Sequence, residues 1–194
     1  MRTVGILMFD GVEELDFVGP MEVFGILNRL HPGSARTVLI GPGRTTVRAA
    51  YGLRVESDVG YPDAPSLDLL IVPGGGGVRA AARDPAILEF VRSVRDRGTV
   101  VASVCTGALL LAAAGMLDGK HATTHFAALD ELAGYPKVVV EHRRFIDLGS
   151  VVTSAGISSG LDMSLHLVER FFGAELAEEV AHRMEYTRRA GDEV

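Results

Sequence analysis

The sequence predicts an α/β fold in which a mostly parallel sheet is covered by helices on both faces, and two observations lead to this prediction. Short apolar segments of strand length alternate with helical segments along the chain, an order that is typical of parallel sheets. Several of these strand segments also contain almost only apolar residues, as expected where both faces of a sheet are buried. We predict a single domain over residues 1–194, a length sufficient for one hydrophobic core.

The elements of the first half follow from periodicity and turn residues. Asp84 followed by Pro85 predicts the start of a helix, and Gly98 predicts its end. The other expected elements are strands at 3–9, 36–40 and 67–72, a helix at 19–30 and a hairpin over 47–55.

The second half continues the alternation of strands and helices. A strand from Thr99 leads through a sharp turn into a helix that begins near Gly107. Ser158 or Ser159 caps the first of two final helices, and the second follows Gly173 and carries Arg188 and Arg189 late in its length. Shorter strands are expected at 122–124, 138–140, 145–146 and 151–153.

Composition restricts the class of function. The net charge of −6 argues against nucleic-acid binding, which requires a basic face. One cysteine excludes an internal disulfide, and the N-terminus lacks the pattern of a signal peptide. Residues 99–117 carry no charge, but a strand followed by a buried helix explains them better than a membrane span does. We expect a cytoplasmic protein that acts on a small molecule without binding a membrane.

The single cysteine, Cys105, occupies the turn between the strand from Thr99 and the helix from Gly107. This turn faces the carboxyl edge of the sheet, where open α/β proteins bind ligands. The amides of the following helix stabilise a thiolate or an oxyanion, so the pattern predicts a nucleophile whose pKa lies below the ordinary value. The alternative is a buried structural thiol.

A run of four glycines follows Pro73 at the end of the preceding buried strand. Parallel neighbours would bring this run beside Cys105, and glycine lets backbone N–H groups approach developing negative charge. We expect an oxyanion site that includes Gly75 and Gly76; the alternative is a flexible turn. The run lacks the lysine of a phosphate-binding loop.

Asp16 is the candidate acid and base. It lies among apolar neighbours before the first predicted helix, where burial would raise its pKa into the range of a proton donor and acceptor. Alternatively, Asp16 caps that helix. Glu14 is the rival carboxylate, and His125 ends a short strand that reaches the same edge. The histidines show no zinc-ligand grouping, so we predict no metal.

Four segments together resemble the ThiJ/PfpI superfamily, whose fold is flavodoxin-like and related to the class I glutamine amidotransferases. The segments are Pro73-Gly74-Gly75, Ser103-Val104-Cys105-Thr106-Gly107, Ala122-Thr123-Thr124-His125-Phe126 and Ala155-Gly156-Ile157-Ser158-Ser159-Gly160-Leu161-Asp162. The similarity covers nearly the whole chain. Together with residues 15–20, these segments most resemble isocyanide hydratases and the ligand domains of AraC-type regulators.

Two departures separate this chain from other branches of the superfamily. Peptidase-like members have histidine directly after the cysteine, where this chain has Thr106, and deglycase-like members use glutamate where this chain has Asp16. The resemblance therefore implies a hydratase that forms a thioimidate on Cys105. Backbone N–H groups of Gly75 and Thr106 would hold the developing negative charge, and Ile157 would line the pocket.

The resemblance further implies a homodimer that requires no metal or organic cofactor. Two alternatives to the hydratase stay open at this point. One is a glyoxalase or deglycase that acts on reactive carbonyls, and the other is a non-catalytic ligand-sensing domain.

Overall fold

A computed structural model describes residues 1–192. The strands are Arg2–Leu7 (β1), Ala35–Gly41 (β2), Thr46–Arg48 (β3), Arg54–Glu56 (β4), Val59–Gly60 (β5), Leu69–Val72 (β6), Val100–Ser103 (β7), His121–Ala122 (β8), Val139–Val140 (β9), Phe145–Asp147 (β10) and Val151–Ser154 (β11). The α-helices are Glu14–Leu30 (α1), Val78–Ala81 (α2), Pro85–Asp96 (α3), Gly107–Ala113 (α4), Leu129–Ala133 (α5), Ser159–Phe172 (α6) and Ala174–Arg183 (α7). Short 3₁₀ turns occupy Tyr61–Asp63 and Phe126–Ala128.

The central sheet has seven strands in the order β10-β11-β7-β6-β1-β2-β5. All neighbouring pairs are parallel except β10 and β11 at one edge. This confirms the predicted, mostly parallel sheet. The carboxyl ends of β6 and β7 lie side by side, with Val72 paired to Ser103, and this register brings the glycine run beside the cysteine turn.

Helices cover both faces of the sheet. All four residues of β6 are buried, although consecutive strand residues point to opposite faces. Helices α1, α6 and α7 pack together as one layer, whereas α4 contacts α2, α3 and α5 in the other. The predicted α/β class is therefore confirmed.

Helix α1 begins at Glu14, five residues earlier than the sequence pattern indicates. Pro20 lies inside the helix, where its missing N–H removes one backbone hydrogen bond. The buried side chains Phe17, Phe24 and Leu27 hold the helix against the core despite that loss. The early start places Asp16 in the first turn of the helix instead of in a preceding loop.

Other expectations are confirmed or corrected at the element ends. Asp84 caps α3, since its carboxylate accepts a hydrogen bond from the N–H of Ala86 at 2.9 Å. Ser158 stands at the N-terminus of α6, but its hydroxyl makes no capping bond. Helix α7 ends at Arg183, so Arg188 and Arg189 lie beyond it.

The uncharged stretch 99–117 forms β7, the cysteine turn and α4. None of the helices within residues 1–192 is both long enough and apolar enough to cross a membrane.

Candidate active site

The turn at Cys105 holds the backbone in an unusual conformation. Cys105 has φ of 55°, in the left-handed region that side chains other than glycine rarely adopt. Its N–H donates to the carbonyl of Ala155 at 3.2 Å, and its carbonyl accepts from the hydroxyl of Thr124 at 2.8 Å. Such strain costs about 1–3 kcal/mol and persists where surrounding bonds impose it, typically at functional sites.

The thiol of Cys105 is only 6 % exposed and lies against the loop that follows β11. A β-carbon at Gly156 would stand 2.8 Å from Sγ and would also collide with the ring of His125. Glycine at this position therefore lets Cys105 and His125 approach each other across the loop. The predicted proximity of His125 to the cysteine is observed.

Asp16 is fully buried beside the thiol. Oδ2 accepts a hydrogen bond from the N–H of Gly74 at 2.9 Å, whereas Oδ1 is buried without a partner. Burial raises the pKa of Asp16 from 3.8 to about 7, and the Gly74 hydrogen bond only partly opposes this shift. The carboxylate bonds to the glycine run and not to its own helix, so the capping interpretation of Asp16 is wrong.

The pKa of Cys105 is raised to about 12, chiefly by burial and then by the charge of Asp16. Hydrogen bonds from the backbone N–H and the hydroxyl of Thr106 act in the opposite direction but are smaller in effect. The expectation of a lowered thiol pKa is therefore wrong. The start of α4 does follow the cysteine turn, but the sulfur in this turn is buried away from water beside the carboxyl group of Asp16, and both effects raise its pKa. The resting form is a thiol next to a carboxyl group that titrates near neutrality.

The glycine run allows close backbone packing. Gly75 has φ of +117°, and a side chain there would collide with the backbone of residues 11–13. Its N–H donates to the hydroxyl of Thr106 at 3.0 Å, and the N–H of Gly74 is taken by Asp16. The expected role of Gly75 as an oxyanion donor stays a prediction. Gly76 is exposed at the tip of the run.

Thr106 connects these two turns. Its hydroxyl accepts a hydrogen bond from the N–H of Gly75 at 3.0 Å. Its hydroxyl and its backbone N–H also act to lower the pKa of the Cys105 thiol. Thr106, predicted as a site residue, therefore lies between the glycine run and the cysteine.

The remaining candidates lie around this pair. Nδ1 of His125 accepts from the N–H of Ala127 at 3.2 Å, which fixes the orientation of the ring. Ile157 is half-buried and directly follows the glycine that contacts the thiol. Glu14 instead accepts hydrogen bonds from the backbone of the hairpin at Tyr51, at 2.8 Å. The structure thus assigns Glu14 a structural contact and leaves Asp16 as the carboxyl group beside the thiol.

Two residues near the site were not predicted. Thr124 is fully buried and its hydroxyl donates to the carbonyl of Cys105. Its position next to His125 in the sequence could have indicated that it belongs to the site. Glu13 is half-buried, and its charge raises the pKa values of both Asp16 and Cys105. Nothing in the sequence distinguishes Glu13 from the adjacent Glu14. Across residues 1–192 no group of three metal-ligating side chains is present.

Comparison with known proteins gives consistent similarities. The model of the DJ-1/PfpI family matches residues 2–170. The chain is 36% identical to an isonitrile hydratase of Pseudomonas putida, over 94% of this chain and 78% of the hydratase. A crystal structure of a ThiJ/PfpI family protein from Pseudomonas syringae superposes with a TM-score of 0.88 at 31% identity, covering 97% of this chain and 76% of that one.

Similarity also extends to a transcriptional regulator. The chain is 31% identical to the HTH-type transcriptional regulator CdhR of Pseudomonas aeruginosa, over 91% of this chain and 53% of the regulator. This chain therefore spans about half the length of that relative. With the family model matching most of its length and an α/β sheet that carries the cysteine turn, the chain belongs to the DJ-1/PfpI family.

Proposed function

We propose that this protein is a hydratase that converts an isocyanide to an N-substituted formamide. One observation carries the proposal: a buried carboxyl group without a charged partner, Asp16, lies beside the buried thiol of Cys105. With a pKa near 7, Asp16 both accepts and returns a proton at neutral pH. The likeness to isonitrile hydratase supports the choice of substrate class.

In the first step the thiol adds across the terminal carbon of the isocyanide. The sulfur of Cys105 forms a bond to this carbon while Asp16 takes the thiol proton and delivers it to the same carbon. The product is a thioimidate, and no free thiolate accumulates. This route suits a thiol whose pKa is raised, because proton transfer and attack are coupled. The hydroxyl and N–H of Thr106 stabilise the charge that develops on sulfur.

In the second step water releases the product. The carboxylate of Asp16 accepts a proton from water as the oxygen attacks the thioimidate carbon, and it delivers this proton to the nitrogen. The tetrahedral intermediate then expels sulfur. Its hydroxyl proton passes through Asp16 to the sulfur, which restores the thiol of Cys105 and leaves the formamide carbonyl. The overall reaction adds one water to one isocyanide and returns both groups to their starting state.

A second candidate is ligand sensing without catalysis. The similarity to the regulator CdhR, which covers 91% of this chain, supports this alternative. Action on reactive carbonyls is the other alternative, and it would use the same cysteine in a more polar pocket. Both alternatives predict that an isocyanide is not converted.

The homodimer implied by the resemblance stays a prediction, which light scattering of the purified protein tests.

Incubation with cyclohexyl isocyanide and chromatographic detection of N-cyclohexylformamide tests the proposal. We expect turnover by the native protein and none by Cys105→Ala. Ser103→Ala is the matched control, because it removes a buried hydroxyl without a partner two residues before the nucleophile. Formamide production by Cys105→Ala at the native rate would exclude the proposed mechanism, and no production by the native protein from either a cyclohexyl or an aryl isocyanide would exclude the hydratase.

A further inference from the structure

A cavity of about 370 Å³ lies next to the loop that packs against Cys105. Ala155 and Gly156 of this loop line the cavity. The carbonyl of Ala155 accepts the N–H of Cys105, and Gly156 borders its sulfur. The cavity is thus the space beside this loop, and the substituent of a ligand bound at Cys105 is assigned to it.

The cavity is lined by two arginines, Arg143 and Arg144, and by His142. Arg144 is buried and engaged, since its Nε donates to Asp162 at 2.5 Å. Arg143 is different: its side chain is 51% exposed, and its closest ionic contact joins Nε to Glu141 at 2.6 Å. The terminal nitrogens of Arg143 are thus available as donors, and a guanidinium presents them in a geometry that matches a carboxylate.

Arg143 is fixed relative to the nucleophile by two adjacent threonines. The hydroxyl of Thr123 donates to the carbonyl of Arg143 at 2.9 Å and accepts its N–H at 3.4 Å. The next residue, Thr124, bonds to the carbonyl of Cys105. The backbone that carries the guanidinium is therefore held in a defined position beside the reacting sulfur, as selective binding requires.

Phe126 supplies an apolar wall to the same cavity. Its side chain is 69% exposed, and its ring lies 4.5 Å from the ring of His125. An exposed phenylalanine at the mouth of a site provides a surface for a flat apolar group. The cavity thus combines one aromatic surface with a cationic group.

We propose that the cavity selects substrates whose substituent is flat, apolar and carries a carboxylate, and that Arg143 determines this specificity by binding the carboxylate. The inference rests on the proposed function, because it names the substrate class of the same site. Hydrogen bonds to charged groups contribute about ten- to a hundredfold in affinity. Because the pair is partly exposed, its contribution falls as salt increases.

The test compares 4-isocyanobenzoate with its methyl ester, which has the same ring and no charge. We expect kcat/KM for the carboxylate to exceed that for the ester at least tenfold in the native protein. Arg143→Gln should reduce this ratio about tenfold or more, mainly through KM. Arg2→Gln is the matched control, since Arg2 is a similarly exposed, ion-paired arginine at the start of β1, and it should keep the native ratio. An unchanged ratio in Arg143→Gln would overturn the inference.

A binding measurement separates this inference from the proposed function. Calorimetric titration with 4-formamidobenzoate tests the cavity without turnover. If neither isocyanide is converted, the hydratase fails, but weaker binding of 4-formamidobenzoate by Arg143→Gln than by the native protein would still support the anion-selective cavity. Equal binding by the two proteins would refute the cavity assignment even where the hydratase activity is present.

Discussion

Two aspartates are almost completely buried in this protein, and their surroundings differ. Asp162, in the first turn of α6, is 1% exposed and both of its oxygens are bonded. Oδ2 accepts from Arg144 at 2.5 Å and from the hydroxyl of Tyr186 at 2.8 Å, and Oδ1 accepts from the N–H of Arg189 at 2.7 Å. Asp16, at 0% exposure, has one backbone hydrogen bond and an oxygen without a partner.

The difference indicates two uses of a buried carboxyl group. Asp162 is compensated by a cation and ties the segment after α7 to α6, as a structural group does. Asp16 is left without a cation beside a nucleophile, so burial shifts its pKa toward neutrality. An uncompensated carboxyl group weakens the fold, and a site that transfers protons is where such a group is expected.

Removal of the charge of Asp162 should have the largest effect on stability. Asp162→Asn leaves the buried guanidinium of Arg144 without its counterion, and breaking a buried ion pair from one side costs about 3–5 kcal/mol. We expect the free energy of unfolding to fall by this amount in urea denaturation. Asp147→Asn, which alters a more exposed ion pair on β10, is the control and should cost less. If Asp162→Asn unfolds with the same free energy as the native protein, the ion pair between Arg144 and Asp162 is not needed for stability.

Asp16→Asn should change stability in the opposite direction, and only above acidic pH. The pKa of Asp16 rises from 3.8 to about 7 on folding, so the folded chain binds more protons between these values. The free energy of unfolding therefore falls as pH rises through this window, by on the order of 4 kcal/mol. We expect Asp16→Asn to be more stable than the native protein at pH 8, with the advantage shrinking toward pH 4. A pH-independent difference in urea denaturation would contradict the assigned pKa.

Substitution of Asp16 should reduce turnover, even though Asp16→Asn is expected to stabilise the fold. Asp16→Asn keeps the shape of the side chain but cannot carry the proton, so kcat/KM should fall about a hundredfold or more. Asp16→Glu should also lose activity, because one methylene displaces the carboxyl group by about an ångström. In the native protein kcat/KM should rise with pH around a midpoint near 7, where Asp16 ionises. Near-native hydration by Asp16→Asn would remove Asp16 from the mechanism.

Thr124→Val should have a smaller effect, confined to the cysteine turn. The substitution removes the hydroxyl that bonds to the carbonyl of Cys105 and retains the branched shape. We expect kcat to fall about fivefold with KM nearly constant, because a net hydrogen bond contributes about 1 kcal/mol to holding this geometry. Thr99→Val is the matched control, since Thr99 is also buried but its hydroxyl donates to the carbonyl of Leu67. An equal loss in both variants would indicate a general packing effect.

The sequence predicted the sheet and the cysteine turn because these depend on local patterns. The β-branched run before Cys105 and the apolar run before Pro73 identify buried strands, and parallel pairing then places both turns at one edge. The start of α1 could not be predicted, because Gly19 and Pro20 resemble a helix N-terminus, whereas the helix begins earlier and buries Phe17 before them.

What the sequence determined by itself was the fold class and the position of the cysteine turn, since periodicity and residue type are properties of short segments. Only the tertiary structure decided the protonation of the site, because a pKa depends on which groups exclude water from it. Cys105 and Asp16 lie 89 positions apart in the chain, and burial raises the pKa values of both groups. The tertiary structure also decided that Gly75 donates to Thr106 and that Arg143 reaches the cavity beside the thiol. Such contacts join distant segments, and no local pattern encodes them.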